Sequence, residues 1–345
     1  MNSRASKFQD FGPREEALAI SVKPVSTDRV SSITIGRAEP VRPGLLIAEQ
    51  QVAKPSRLED LTLFLLVAIL GSAIGIWAMV GLHFYDVRNT DNLARTYLAV
   101  QVFFGYEPKL ANIGFVWPPV PSLLQLPLVL LFPALAFQGA TGPIVSALSG
   151  GVCLVILNRI LSLYVPKRAL RYTLLGLYQL NPLVLYLTIS GLSEIVFLMF
   201  VLLAWLALQR LYFEEPIPIV QVGVLGIAAA GALLSRYEGI IYGMLIGGLL
   251  TVMFYLHKHP GQWPLAEGFA ITYVTPFGYA LGLWVFFNAI IVGDPLYFMT
   301  GKGSNREFMA AWLEAHPVLD TLVGNIPAAT SYAMRAAWDV SPSFY

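Results

Sequence analysis

The strongest constraint on this chain is a series of apolar runs, most of them about as long as a bilayer is thick. They fall near 61–82, 118–138, 142–163, 172–189, 195–213, 218–235, 239–256 and 268–292. A helix needs roughly 20 predominantly apolar residues to cross the hydrocarbon core. A backbone in that core must satisfy its own hydrogen bonds, which leaves helices or a closed barrel. The runs are continuous rather than alternating, which argues against a barrel. Composition agrees: 56% of residues are hydrophobic and only 12% are charged, about half the charge of a soluble domain. The expected fold is an all-α polytopic membrane protein.

Other classes fall away. A net charge of +1 gives no footprint for nucleic acid. The single cysteine, Cys153, lies in an apolar run, so no disulfide can form within the chain, and no spacing suits zinc. His83, His257, His259 and His316 are scattered, and His257 and His259 flank Lys258 in what reads as a solvated basic turn. No cleavable signal segment precedes the run at Leu61, which is expected to act as an uncleaved anchor. Residues 1–57 are polar and mixed in charge, the pattern of a largely disordered cytosolic tail.

Basic clusters favour the cytoplasmic side. Here they are Arg57, "PKRALR" at 166–171, Arg210 and "HKH" at 257–259. All four share one side only if 118–138 does not span. That segment carries Pro118, Pro119, Pro121, Pro127 and Pro133, which break membrane helices unless the freed backbone groups find partners. It is therefore expected in the outer interface or re-entering. The result is about seven spans with the N-terminus in the cytoplasm. A core at 58–300 has its outer loop at 83–119. An outer-face segment, 301–345, follows, read as truncated or as a short form completed by a partner. Within the outer loop, "DNLARTYLAVQVFFG" is expected to form an amphipathic helix. Asp91 can cap it, Leu93, Tyr97, Val100 and Phe104 lie near one face, and Gly105 can end it. Gly71, Gly75, Gly150, Gly151, Gly226, Gly231, Gly247 and Gly248 lie in spans and are expected to permit close helix packing.

This topology gathers four polar turns on the outer face: the 83–119 loop, "SGLSE" (190–194), "SRYEG" (235–239) and "VGDPLYF" (292–298). Asp86, Asp91, Glu194, Arg236, Glu238 and Asp294 then face one compartment. Ionisable groups at membrane depth are costly and usually face a cavity or a partner, so the cluster is a candidate site. Each residue also has a plainer reading. Asp91 and Glu194 can cap helices, Asp86 can be a solvated loop acid, Arg236 and Glu238 can pair to fix a turn, and Asp294 can mark one.

The order of "GFVWPPVPSLLQLP", "NPLVLYLTISGLSE", "LLSRYEG" and "WVFFNAIIVGDPLYF" behind an acidic first outer loop resembles the GT-C superfamily of membrane glycosyltransferases. It lies nearest the protein O-mannosyltransferase and aminoarabinose-transferase-like families, with glycosyltransferase family 39 character, over about residues 60–300. The resemblance implies a seven-span core and a polyprenyl-phosphate sugar donor. It implies transfer on the non-cytoplasmic face to a glycan, lipid or protein acceptor, with an acidic base in the first outer loop. Asp91 and Asp86 both qualify. The family often pairs two acids side by side, whereas here Asn92 follows Asp91.

Such a reaction needs a carboxylate against the acceptor hydroxyl and cations near the leaving phosphate. Arg236 is the first candidate for the phosphate, with Arg95 and Lys109 behind it. Glu194, Glu238 and Asp294 complete the set. No cofactor is required by any spacing, although converging acids would suit a divalent metal shared with a phosphate. A bacterial plasma membrane is the expected location. The alternative is a multi-span transporter or lipid flippase, which would be expected to show internal repeats and charges near the midplane. No repeat is visible, and the charges fall at span ends.

Overall fold

The first helix begins before the apolar run, because Ser56 caps it. The Ser56 hydroxyl accepts the Glu59 N–H at 3.1 Å, and α1 runs Arg57–Ile76, its end widening into a π turn at Trp77–Gly81. In this computed structural model the described residues are 55–82, 90–213, 219–258, 261–316, 319 and 321–340. The expected cytosolic tail lies outside them, apart from its last few residues. All of the described residues belong to the larger of two compact units, Pro43–Tyr345. Every regular element among them is a helix.

Five helices are long and apolar enough to cross a membrane: Arg57–Gly81, Thr141–Ser162, Glu194–Phe213, Glu238–Leu256 and Trp263–Val292. After α1 comes α2, Thr90–Phe104. Three short helices then fill the Pro-rich stretch: α3 Val120–Leu123, α4 Leu126–Leu131 and α5 Pro133–Phe137, each with a proline in its first two positions. At 1.5 Å per residue the longest covers about 9 Å, far less than a bilayer. They pack on α2, where Val129 and Ala136 meet Ala99 and Val100, and Phe137 lies 5.5 Å from Phe104.

The next long helix, α6, is Thr141–Ser162. The run expected as one helix at 172–189 is two, α7 Arg168–Gln179 and α8 Pro182–Ser190. Pro182 cannot extend the hydrogen-bond ladder of α7. Asn181 restarts the helix, its side-chain oxygen accepting the N–H groups of Leu183 and Val184 at 3.0 and 3.4 Å. Then follow α9 Ser193–Phe213, α10 Ile219–Leu233, α11 Glu238–Met253 and α12 Trp263–Phe287. The 15 residues of α10 rise about 22 Å, less than any of the five long helices. Beyond α12 lie α13 Tyr297–Thr300, α14 Asn305–Ala315 and α15 Ile326–Val340.

Small residues set the packing. α1 and α6 lie antiparallel: a Cβ on Gly71 would stand 3.0 Å from Ala147, and one on Gly75 2.6 Å from Pro143. A second core joins α9 to α12 through Ala204, Leu225, Ala229, Leu250 and Tyr273. There Gly226 admits α12, since a Cβ would come within 2.6 Å of the Tyr273 carbonyl. The Tyr273 hydroxyl donates to the Gly243 carbonyl at 2.6 Å, tying α12 to α11. Gly248 departs from the expectation for span glycines, with nothing near it to pack against.

One end of the bundle is closed by a network that the hydropathy pattern conceals. Arg171 of "PKRALR" is not a loop cation: it is fully buried and pairs with Glu59 at 2.8 Å. Arg159 pairs with Asp60 at 2.8 Å, and the Asn158 amide donates to Glu59 at 3.1 Å. The first turn of α1 is thereby clamped to the end of α6 and the start of α7. Glu59 and Asp60 ahead of a long apolar run were the available signal, because acids there need partners.

Candidate functional site

At the opposite end, α2 lies over the bundle on a polar face. Asn92, Arg95, Thr96 and Ala99 are buried, whereas Tyr97 and Phe104 are exposed. Leu93 and Val100, the other two residues placed near the face of Tyr97 and Phe104, are half-buried and buried.

Asn92 fixes the position of α2. Its side-chain amide donates to the Ser190 carbonyl at the end of α8, and its oxygen sits against Gly142 and Gly191. Neither site has room for a Cβ. Gly191 has φ +80°, a left-handed turn that joins α8 to α9. One turn further along, the Thr96 hydroxyl donates to the Gln125 side-chain oxygen at 2.8 Å, and Thr141 donates to the same atom at 2.9 Å. Asn92 therefore faces inward and leaves Asp91 at the rim. Asp91 is the second residue of α2, not its cap, and it is exposed.

Arg95 lies one turn beyond Asp91 and is only 7% exposed. It donates to the Pro118 carbonyl at 3.2 Å, with its guanidinium 5.4 Å from the centre of the Trp117 ring. Among the described residues no carboxylate pairs with it. Burial pushes its pKa down to about 10, while the charges of Asp91 and Glu194 and the Tyr237 ring oppose that and Arg236 adds to it. Those same interactions place α2, the start of α9 and the 234–237 turn around one point.

Arg236 is held differently. One guanidinium nitrogen meets Glu194 at 2.7 Å and another meets Glu238 at 2.9 Å, with a further contact to Glu238 at 3.3 Å. Burial alone would lower its pKa, but the Glu238 bonds and the Glu194 charge outweigh burial and hold it above the ordinary value. Next to it, burial pushes the Tyr237 hydroxyl well above its usual range, and Tyr237 stacks on Phe298 at 5.5 Å. The turn is anchored to the Pro-rich segment, because the Val120 N–H donates to the Leu234 carbonyl at 2.9 Å. Glu194 Oε2 and the Tyr237 hydroxyl are buried with no hydrogen-bond partner among the described residues, so they can accept or donate to a ligand or to water.

The expected residues thus divide. Asp91, Arg95, Glu194, Arg236 and Glu238 converge. Asp294 does not join them: it accepts from the Leu296 N–H at 2.9 Å and the Thr300 hydroxyl at 2.6 Å, a turn whose helix α13 carries Phe298. These bonds hold its pKa below the ordinary Asp range. Lys109 lies beyond the end of α2, paired with Glu107 at 3.0 Å. Asp86 lies outside the described residues. Two contributors were not assigned to the site from the sequence, Trp117 as the ring beside Arg95 and Asn92 as the anchor. Their only signal was position, beside the prolines and beside Asp91. Among the described residues no three His, Cys, Asp or Glu side chains are grouped to hold a metal.

The arrangement separates two functions chemically. Arg236 is neutralised by two carboxylates. Arg95 is a buried cation with no ion-pair partner among the described residues, and Asp91 is an exposed carboxylate on the same helix. Compared with known families, curated proteins and solved structures, the chain matches none.

Proposed function

We propose that this protein is a membrane glycosyltransferase of GT-C type, transferring a sugar from a polyprenyl-phosphate donor to an acceptor hydroxyl. The reading takes α7 with α8, and α10, as further crossings beside the five long helices. That gives seven, with the Arg236 end non-cytoplasmic. The observation that carries it is the placement of Asp91 and Arg95 one turn apart on α2, the first exposed and the second buried, neither in an ion pair among the described residues.

In this reading Asp91 takes the proton of the acceptor hydroxyl as its oxygen attacks the anomeric carbon. The bond from that carbon to the phosphate oxygen breaks, and the polyprenyl phosphate leaves with the electron pair. Arg95 meets the phosphate as its charge grows, in a site where burial strengthens the interaction. The physical reason to prefer Arg95 over Arg236 for this contact is that the phosphate need not displace a carboxylate. Arg236 instead holds Glu194 and Glu238 in place and fixes the turn. Asp86 remains the alternative base.

The test is transfer from radiolabelled polyprenyl-phosphate sugars in membranes that contain the protein. Asp91→Asn should lower the rate by roughly 10²- to 10⁴-fold, the usual worth of a general base, with the protein still inserted. Full activity in that variant would remove Asp91 from the role and pass it to Asp86. No transfer by the parent protein from any such donor would overturn the proposal.

A further inference from the structure

Past the C-terminal end of α2 the chain folds back and makes a shallow, open groove lined by Tyr97, Gln101, Tyr106, Glu107, Lys109 and Asn112. The groove is held in shape from within. The Asn112 amide donates to the Gln101 carbonyl at 2.9 Å and to the Glu107 carbonyl at 2.7 Å. Both of its N–H groups are then used, and its oxygen is left to accept. The one cation, Lys109, is cancelled by Glu107 at 3.0 Å. Each of these two still has hydrogen-bonding capacity beyond that pair. Tyr106 is fully exposed and Tyr97 is 62% exposed, so two aromatic faces stand open over amides and a neutral ion pair.

We infer that this groove binds a neutral saccharide. Aromatic faces suit the apolar C–H side of a sugar ring. The amide and ion-pair groups suit its hydroxyls, which both donate and accept. The lack of net charge disfavours phosphates, nucleotides and anionic headgroups, and the density of polar groups disfavours an acyl chain. The inference deepens the proposed function and rests on it in one respect, that the saccharide is the acceptor. Gln101 lies ten residues beyond Asp91 on the same helix, about 15 Å along its axis. The groove would therefore hold the body of a chain whose reacting end lies near the base.

Binding and transfer can be measured separately. The full chain in nanodiscs is mixed with a panel of neutral tetrasaccharides (mannose, glucose, galactose and N-acetylglucosamine types), with a sialylated oligosaccharide as the charged control. Ligand contact is read by saturation-transfer NMR. At least one neutral sugar should receive saturation and the charged control should not. Tyr97→Ala and Tyr106→Ala should each weaken that signal roughly two- to tenfold, whereas Tyr106→Phe should keep it. Both tyrosines are exposed, so these variants should fold, which gel filtration verifies.

A silent panel overturns the groove, as does a signal unchanged by removing both rings. If sugar binds but no lipid-linked donor supports transfer, the groove stands as a saccharide site and the enzymatic reading falls. If transfer proceeds and the tyrosine variants alter neither binding nor the acceptor KM, the enzyme stands and the groove falls.

Discussion

Asn92 and Asp91 are neighbours with opposite surroundings, and the difference organises the site. The amide of Asn92 donates to a main-chain carbonyl between two glycines, a place where a second carboxylate could not donate and would be desolvated. The two neighbours therefore divide their tasks, with one residue docking the helix and the other left accessible. Arg95 invites a sharper test. Its pKa is lowered to about 10, with burial the leading cause, so its charged form costs the folded state stability across neutral pH. The sign follows from linkage. A base whose folded pKa is depressed binds fewer protons folded than unfolded, and the cost is relieved only as pH rises through about 10. Arg95→Met should accordingly match or exceed the parent in stability, by about 1–3 kcal/mol, and still lose transfer. Melting temperatures in detergent would show the gap narrowing above about pH 10. A large destabilisation by Arg95→Met at neutral pH would instead mark Arg95 as a structural cation.

At the scale of elements, one departure has a local cause. The run at 172–189 is long enough for one helix, yet "LNP" divides it into α7 and α8. The break sets the register of Ser190 and Gly191 beneath Asn92. Close approach is a second property of elements. At Gly226 a side chain would strike the Tyr273 carbonyl and Pro276, so neither rotamer change nor solvent can absorb it. Gly226→Val should push α10 from α12 and cost about 1–3 kcal/mol, while Gly248→Val, with open space around it, should change little. Thermal unfolding of the two variants side by side checks this. Equal losses would mean that helix propensity rather than packing sets the cost.

For the whole molecule, the decisive quantity is which ends of the helices share a compartment. With Cys153→Ser as background, single cysteines at 91, 194, 236 and 294 should react with an impermeant maleimide from the outside. Cysteines at 168 and 258 should react only after permeabilisation. If 194 and 236 reported different sides, the glycosyltransferase reading would lose its basis and a transporter would be the better account. The geometry already ties Glu194 to Arg236 at 2.7 Å, so a split result would also contradict the fold.

The helical, apolar character of the chain was legible in the sequence, as were the charged residues Asp91, Glu194, Arg236 and Glu238 beside its apolar runs. Hydropathy is a sum over neighbours along the chain, and a charge beside an apolar run stands out locally. The pairing of Arg171 with Glu59, the burial of Arg95 beside Trp117 and the inward turn of Asn92 were decided by tertiary structure alone. Each depends on residues brought together from distant parts of the chain or on which face of a helix meets the bundle. A one-dimensional pattern cannot assign that face when lipid and core are both willing to take apolar side chains.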